Sequence, residues 1–187
     1  MAEFESLAGK LLISMPGMTE EAFHRTVTLM CFHSPEGALG LTINRPHESV
    51  SMEDVVEQME LAWERYERQE VFVGGPVSPE RGFVLFEDPL PSSGHMEIQP
   101  NLFLGSSPEI LRDLGQRQCP NRFFFALGYA GWGEGQLEAE MRDSSWMVTP
   151  FDRSVLFEMP VSRRWEMVMR RQGIEPGFIV EAGGTLH

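Results

Sequence analysis

The sequence is poor in cysteine and lysine and lacks long apolar runs. Cys31 and Cys119 are its only cysteines, which excludes a disulfide framework and a four-cysteine zinc site; we expect two buried thiols in a reducing compartment. No apolar run approaches the roughly 20 residues of a membrane-spanning helix. Residues 1–7 contain Glu3 and Glu5 but no cation, unlike the start of a signal peptide. These absences predict a cytoplasmic protein without a membrane partner.

Basic charge is also scarce. The chain has 15 basic against 28 acidic residues and a formal net charge of −13, and Lys10 is its only lysine. Proteins that grip nucleic acid across a wide face need clustered Lys and Arg to neutralise phosphates. The charge balance therefore argues against direct nucleic-acid binding, although it leaves room for a local basic pocket.

The remaining composition is that of a globular protein. Of the 187 residues, 42% are hydrophobic and 23% are charged, a mixture that suits one domain with a substantial core. We expect a single domain over residues 1–187, with a glycine-rich surface tail at 176–187.

Strand and helix signals alternate along the chain and include a hairpin, which predicts an α+β (mixed α/β) fold. Residues 26–33 and 38–44 flank a Ser-Pro-Glu-Gly turn and predict this hairpin. Ser51 followed by Asp54 is typical of a helix N-cap, and apolar residues at helical spacing over 52–66 predict one long helix. Further strands are predicted at 11–15, 71–73, 82–86, 95–98, 102–104, 122–127 and 146–149, and helices at 108–114, 136–142 and 162–173.

Complete catalytic and metal-binding motifs are missing. The chain has no P-loop, no nucleophile elbow and no His or Cys pair at metal-ligand spacing, so we assign no catalytic residue, no metal ligand and no cofactor. His33 stands out among scattered histidines because it ends a strand beside a turn. Cys31, two residues earlier, is expected on the same strand face. For both side chains a structural role is favoured over a catalytic one.

Three segments combine polar side chains with glycine or proline at strand ends. They lie at residues 41–46, 73–76 and 128–138, and the last predicts a glycine-rich strand-to-helix turn. Such a turn can present backbone N–H groups to an anion, or it can serve only the fold, with its aromatic side chains covering the core. The candidate ligand- or anion-binding residues are His33, Asn44, Arg45, Gly74, Gly75, Arg81, Gly131, Trp132 and Gln136.

These segments belong to a longer series of motifs in a fixed order, at residues 9–16, 23–27, 37–46, 74–77, 81–85, 127–138 and 157–165, together with His33 and Trp146. The series resembles the YqgE/AlgH family of bacterial proteins and covers residues 6–175. One departure is Phe86, which stands where a histidine is expected. Without that histidine, an acid–base pair with His33 is incomplete.

The resemblance implies a single domain with a bifurcated or barrel-like β-sheet surrounded by helices. It implies no defined activity, although some family members carry a transcriptional-regulator label.

Three functions are compatible with these observations. A non-enzymatic binding, interaction or indirect regulatory protein is favoured, with an unidentified protein or small molecule as its partner, because no catalytic constellation is complete. The alternative is a small-molecule or anion-binding protein, with or without a catalytic step, whose pocket lies around His33, Asn44, Arg45 and the 128–136 turn. A transcriptional regulator that binds DNA is opposed by the acidity and by the lack of a helix-turn-helix.

Overall fold

The fold is built on one curled sheet with helices on its outer face and at one end. The computed structural model describes residues 4–65, 67–117, 119 and 121–176, which form nine strands and five α-helices. The strands are β1 Lys10–Ser14, β2 Val27–Ser34, β3 Gly37–Thr42, β4 Val71–Val73, β5 Val77–Glu87, β6 His95–Gln99, β7 Leu102–Gly105, β8 Phe123–Gly133 and β9 Trp146–Pro150. The helices are α1 Met52–Gln58, α2 Pro108–Leu114, α3 Gln136–Arg142, α4 Arg153–Phe157 and α5 Arg164–Arg171, with short 3-10 helices at Glu21–Phe23 and Val161–Arg163.

Strand β8 is the branch point of the sheet. The strands follow the order β6-β7-β5-β8-β3-β2-β1-β9 with antiparallel neighbours. One edge of β8 pairs with β5. The other edge pairs first with parallel β4, through Phe125 opposite Val71, and then with antiparallel β3, through Ala130 opposite Gly40. This arrangement confirms the predicted bifurcated, barrel-like sheet in a single mixed α/β domain.

Curling brings the β6 end of the sheet close to the start of β1. The Gln99 side-chain amide donates to the Gly9 carbonyl at 2.7 Å, across the opening of the half-barrel. Alternation along β1 then sends Leu11 and Ile13 to an inner apolar cluster and Leu12 to an outer one. The sheet therefore separates two cores.

Helices α4 and α5 close one end of the inner cluster. They contribute Leu156, Trp165 and Met169, all almost fully buried among the strand residues. Burial of one such side chain contributes about 1.5–3 kcal/mol, so packing holds this cap although both helices are short. No helix among the described residues is long and apolar enough to cross a membrane.

The outer face is covered in two patches. Val55 of α1 and Leu111 of α2 pack against Phe125 of β8. Leu137 of α3 packs against Trp132 at the other end of the same strand. The space between α1 and α2 is left partly open, as described below.

Helix α1 begins where the sequence predicts but ends earlier. Ser51 and Asp54 form a reciprocal capping box, as their spacing predicts. The helix ends at Gln58, because Glu60 takes a left-handed φ of 54°, so the prediction of one helix over 52–66 is wrong. Tyr66, the last member of the apolar stripe, lies outside the described residues.

The strand-to-helix turn predicted over 128–138 is present but much shorter than predicted. Residues up to Gly133 belong to β8, in which Gly131 lies opposite Leu39 and Trp132 opposite Ala38 of β3. The turn is confined to residues 134 and 135. Pairing with β3 engages this strand's backbone in the sheet, so the segment does not form a loop of N–H groups around an anion.

Candidate functional site

His33 is hydrogen-bonded at both ring nitrogens. The Leu7 N–H donates to its Nδ1 at 2.9 Å, and its Nε2 lies 2.9 Å from the Glu138 Oε1 atom on α3. Because Nδ1 accepts, Nε2 carries the proton of the neutral ring and donates to the carboxylate. The Phe4 ring also packs against the imidazole, with centroids 4.8 Å apart. His33 therefore fastens the N-terminal segment to the sheet, and neither nitrogen is available to a substrate.

Cys31 does not share a face with His33, contrary to the prediction. The register of β2 against β3 shifts between Met30 and Phe32, so Cys31 sits in a β-bulge. Cys31 packs in the inner cluster, whereas His33 lies opposite Ala38 of an outer cluster. Burial raises the pKa of the Cys31 thiol to about 12, so this residue stays a neutral packing group at physiological pH.

Trp132 and Gln136 meet at one carboxylate, that of Glu140 on α3. Trp132 Nε1 donates to it at 2.9 Å, Trp146 Nε1 at 2.8 Å and the Gln136 amide at 2.9 Å. The Gln136 oxygen in turn accepts from the Gly133 N–H at 3.0 Å. These bonds join α3 to β8 and β9, and they use the polar groups of both predicted residues within the fold.

Gly74 and Gly75 allow the end of β4 to cross close to β8. A Cβ on Gly74 would lie 2.3 Å from the Gly128 carbonyl oxygen, and one on Gly75 would lie 2.1 Å from the Tyr129 carbonyl carbon. The Gly74 N–H also donates to the Leu127 carbonyl at 2.8 Å. Close backbone approach therefore accounts for these two glycines.

The antiparallel hairpin separates the predicted residues. His33 lies near the β2–β3 turn, next to Trp132 and Gln136, whereas Asn44 and Arg45 follow the opposite end of β3. The intervening strand spans roughly 20 Å, so His33 does not share a pocket with Asn44 and Arg45. Arg81 stands apart on β5, with its guanidinium 5.2 Å from the Phe83 ring centroid.

Asn44 and Arg45 organise the segment that leads into β2. Asn44 accepts from the Val27 N–H at 2.8 Å and donates to the Arg25 carbonyl at 2.9 Å. Arg45 donates to the carbonyls of Glu21 and His24, at 2.6 and 3.0 Å. Two sequence motifs, at residues 23–27 and 41–46, are thereby brought together.

A groove lies beside Asn44, between this segment and the start of α5. It consists of two adjoining cavities of about 360 and 530 Å³ that share Asn44, Val161 and Ser162. We call it the Asn44 groove. Trp165 forms part of the first cavity and donates its indole N–H to the Ser14 carbonyl at 2.8 Å, which fixes the ring at the base of the groove.

Arg25 is the functional candidate that motif reasoning did not select. Its guanidinium lies over Trp165, 5.1 Å from the ring centroid, and lines the groove. Among the described residues, no hydrogen bond or ion pair engages this guanidinium. Arg25 also has a left-handed φ of 52°, a conformation that costs an ordinary residue of order 1 kcal/mol. The motif at 23–27 contains Arg25, but the sequence gives no sign that Trp165 would lie beneath it.

A second arginine, Arg164, adds buried positive charge to the wall of the groove. Only 5% of the residue is exposed, and burial lowers its pKa to about 10, which leaves it charged at neutral pH. Its guanidinium donates to the carbonyls of Ile43, Leu156 and Met159. Arg164 therefore ties α5 to β3 and α4, while its charge favours an anion in the second cavity.

Acidic side chains near the groove are partly neutralised. Glu166 lies 2.6 Å from Arg170 on the next turn of α5. Glu70 lines the second cavity and interacts electrostatically with Arg164. Within the described residues, no group of three or more His, Cys, Asp or Glu side chains could hold a metal ion. Guanidinium, amide and hydroxyl groups line the groove together with the carboxylates of Glu166 and Glu70, each of which interacts with an arginine.

Comparisons with known proteins agree on one family. The profile of the AlgH-like family matches residues 11–177. A UPF0301 protein of Magnetococcus marinus is 46% identical over 180 residues, covering 96% of each chain. Another, from Methylococcus capsulatus, is 43% identical and covers 98% of each chain.

Solved structures show the same fold. The solution structure of the AlgH protein from Pseudomonas aeruginosa superposes with a TM-score of 0.75 and 32% identity over the whole of both chains. A crystal structure of a protein from Corynebacterium diphtheriae has a TM-score of 0.69 at 22% identity and covers 92% of this chain and 90% of that one; at this identity it supports the fold alone.

Proposed function

The chain belongs to the AlgH-like family, and we propose from the geometry of the Asn44 groove that it is a non-enzymatic binding protein for a small anionic molecule. The ligand's carboxylate or phosphate group would occupy the groove beside Arg25. A protein partner, the other possibility that the sequence analysis allows, stays a prediction.

The observation that carries the proposal is the position of the Arg25 guanidinium. It is stacked on Trp165, which limits the side-chain freedom it would lose on binding. Its N–H groups have no partner among the described residues, although a planar fork of this kind matches two oxygens of a carboxylate or phosphate. A prepositioned cation with unused donors is suited to an anion.

The surroundings of Arg25 provide further polar contacts. The Ser162 hydroxyl and the Asn44 amide line the same cavity, and Arg164 adds charge to the adjoining one. The first cavity, at about 360 Å³, falls within the usual range of small-molecule sites. Because the whole chain carries a charge of −13, anions are repelled from most of its surface, and binding would be restricted to such a local site.

Binding is favoured over catalysis by the state of the two groups best suited to chemistry. Both nitrogens of His33 are used by Leu7 and Glu138, and burial keeps the Cys31 thiol protonated. Neither residue lines the Asn44 groove. The groove itself contributes hydrogen-bond donors and the charge of Arg25, while its carboxylates, Glu166 and Glu70, interact with Arg170 and Arg164.

Calorimetric titration with inorganic phosphate, pyrophosphate and succinate tests the proposal. We expect at least one anion to bind the wild-type chain, and Arg25→Gln to weaken that binding about tenfold, the usual effect of losing a charge-assisted hydrogen bond. Arg112→Gln is the matched control, since Arg112 is exposed on α2 and lines neither cavity.

The proposal is contradicted if none of the three anions binds, or if Arg25→Gln binds them as tightly as the control. A wild-type preference for phosphate or for succinate would identify which oxyanion the groove takes.

A further inference from the structure

A second cleft lies on the outer face of the sheet, between α1 and α2. Its volume is about 390 Å³. Val55 of α1 and Met59, which follows this helix, form one wall. Leu111 of α2 forms the other wall, and Val84 and Phe125 form the floor. We call it the α1–α2 cleft. It shares no residue with the Asn44 groove, so the two sites are separate.

The pleat of β5 determines the charge of the cleft. Alternation places Glu80, Gly82 and Val84 on the cleft side and sends Arg81 towards Phe83, which belongs to the inner cluster. Among the described residues that line the cleft, Glu80 is therefore the one with a formal charge, and no cation accompanies it.

Polar groups occur only at a few points of the lining. They belong to Gln58, Ser106 and Ser107 besides Glu80. Ser107 precedes α2, but its side chain does not cap the helix, and its hydroxyl oxygen is buried without a hydrogen bond of regular geometry. The pKa of the Glu109 carboxyl is lowered mainly by a hydrogen bond from its own backbone N–H. The nearby Ser107 hydroxyl lowers it further. A bound molecule could thus complete the hydrogen bonding of Ser107.

We propose that the α1–α2 cleft binds a small amphipathic amine. Its apolar body lies between Val55, Leu111 and Phe125, and its ammonium group pairs with Glu80. The volume is near the lower end of known ligand pockets, which range over about 300–1,000 Å³, and therefore suits a small molecule rather than a peptide helix. The charge complementarity comes from an unopposed carboxylate on a chain that is acidic overall.

The N-terminus of α2 has an electrostatic effect opposite to that of Glu80. Backbone N–H groups there attract anions, but α2 has only seven residues and carries Glu109 in its first turn. The single charged group of the lining is thus expected to determine which head group is preferred.

Three probes with one apolar body and different head groups test this inference. Hexylamine, hexanol and hexanoate are titrated into the full chain, and methyl resonances of Val55, Leu111 and Leu127, which all line the cleft, report binding. We expect hexylamine to bind most tightly, hexanol less tightly and hexanoate least. Gln58→Trp, which places a ring at the rim of the cleft, is expected to abolish the shifts for all three.

Two isosteric variants separate charge from shape. Glu80→Gln is expected to weaken hexylamine binding two- to fivefold, as for a solvent-accessible ion pair, and to leave hexanol unchanged. Glu57→Gln is the matched control, because Glu57 is exposed on α1 and does not line the cleft. The inference is overturned if the cleft methyl groups respond to none of the probes, if hexanoate binds as well as hexylamine, or if the two variants behave alike. None of these readings depends on Arg25, so failure here is distinct from failure of the anion site.

Discussion

Asn44 donates its side-chain amide to the carbonyl of Arg25 at 2.9 Å, at the one residue of that turn whose φ, 52°, is left-handed. The same side chain accepts from the Val27 N–H. Two bonds from one residue thus hold the backbone that projects Arg25 over Trp165. The binding proposal depends on these two hydrogen bonds, because they fix the direction in which the Arg25 side chain leaves the backbone.

Replacement of Asn44 is expected to lower stability. Asn44→Ala removes both hydrogen bonds and leaves a partly buried N–H without its partner, which costs about 2 kcal/mol in the free energy of unfolding. Asn44→Asp retains the acceptor for Val27 but sets a carboxylate oxygen against the Arg25 carbonyl, so it should also destabilise the fold. Urea denaturation measures both, and a change below about 0.5 kcal/mol for Asn44→Ala would contradict the bracing role.

Glu87 provides a test of buried charge. Its carboxylate, on a residue only 8% exposed, lies 2.6 Å from both Arg122 and Arg153. Glu87→Gln leaves two partly exposed cations without their shared partner and is expected to cost about 1–2 kcal/mol at pH 7. Glu158→Gln is the control. Within the part of the chain that the structure describes, the exposed Glu158 carboxylate pairs with Arg122 alone, at 3.4 Å, so its replacement should cost less than about 0.5 kcal/mol.

The Glu87 effect is expected to depend on pH. Burial acts to raise the pKa of Glu87, but hydrogen bonds from Arg122 and Arg153 outweigh it, so the folded pKa is lowered. The carboxylate's contribution is therefore present above the unfolded pKa of about 4.3 and is lost as the pH falls through the lower folded value. Denaturation of wild type and Glu87→Gln between pH 7 and pH 2 should show the two stabilities converge; a constant difference would contradict the assignment.

The two cysteines are expected to differ in reactivity. Burial raises the pKa of Cys31 to about 12, whereas Cys119 is only half-buried. A thiol reagent added to the native protein should modify Cys119 rapidly. Cys31 should react only as fast as the protein unfolds. Cys119→Ser should remove the rapid phase. Two rapid thiols in the wild type would contradict the buried bulge.

Gly75 and Gly17 form a matched pair for backbone approach. A Cβ at Gly75 would lie 2.1 Å from Tyr129 backbone, whereas one at Gly17 has nothing within 4 Å. Gly75→Ala is expected to lose at least about 3 kcal/mol, or to fail to fold, because strand backbone must move. Gly17→Ala should change stability by less than about 1 kcal/mol. Equal stability of the two variants in thermal unfolding would contradict the close β4–β8 crossing.

Local signals predicted the starts of elements better than their ends. Ser51 and Asp54 specify the beginning of α1 because a capping box acts within one turn. The end at Gln58 has no glycine or proline to mark it; it depends on the left-handed Glu60 and on how the following residues pack. The end of β8 is likewise not predictable from local sequence. Gly131 is a strand residue because it pairs with β3, and its glycine-rich surroundings do not indicate a strand.

The site was less accessible to sequence reasoning than the fold. His33 and Arg45 are near one another in the chain, but an antiparallel hairpin sends them to opposite ends of its ladder. Asn44 was selected and does line a groove. Arg25 was not, because its role arises from Trp165, far downstream, and from the α5 cap that positions that ring.

The most direct test of the anion site uses the four tryptophan indoles as reporters in a nitrogen–proton NMR titration with pyrophosphate. Trp165 lies beneath Arg25, Trp132 and Trp146 are bonded to Glu140 on the outer face, and Trp63 packs on Phe123. We predict a saturable shift of the Trp165 indole N–H, with a midpoint at about tenfold higher pyrophosphate in Arg25→Gln, while the other three signals stay in place. A Trp165 signal that stays in place while pyrophosphate binds elsewhere on the protein would contradict the account.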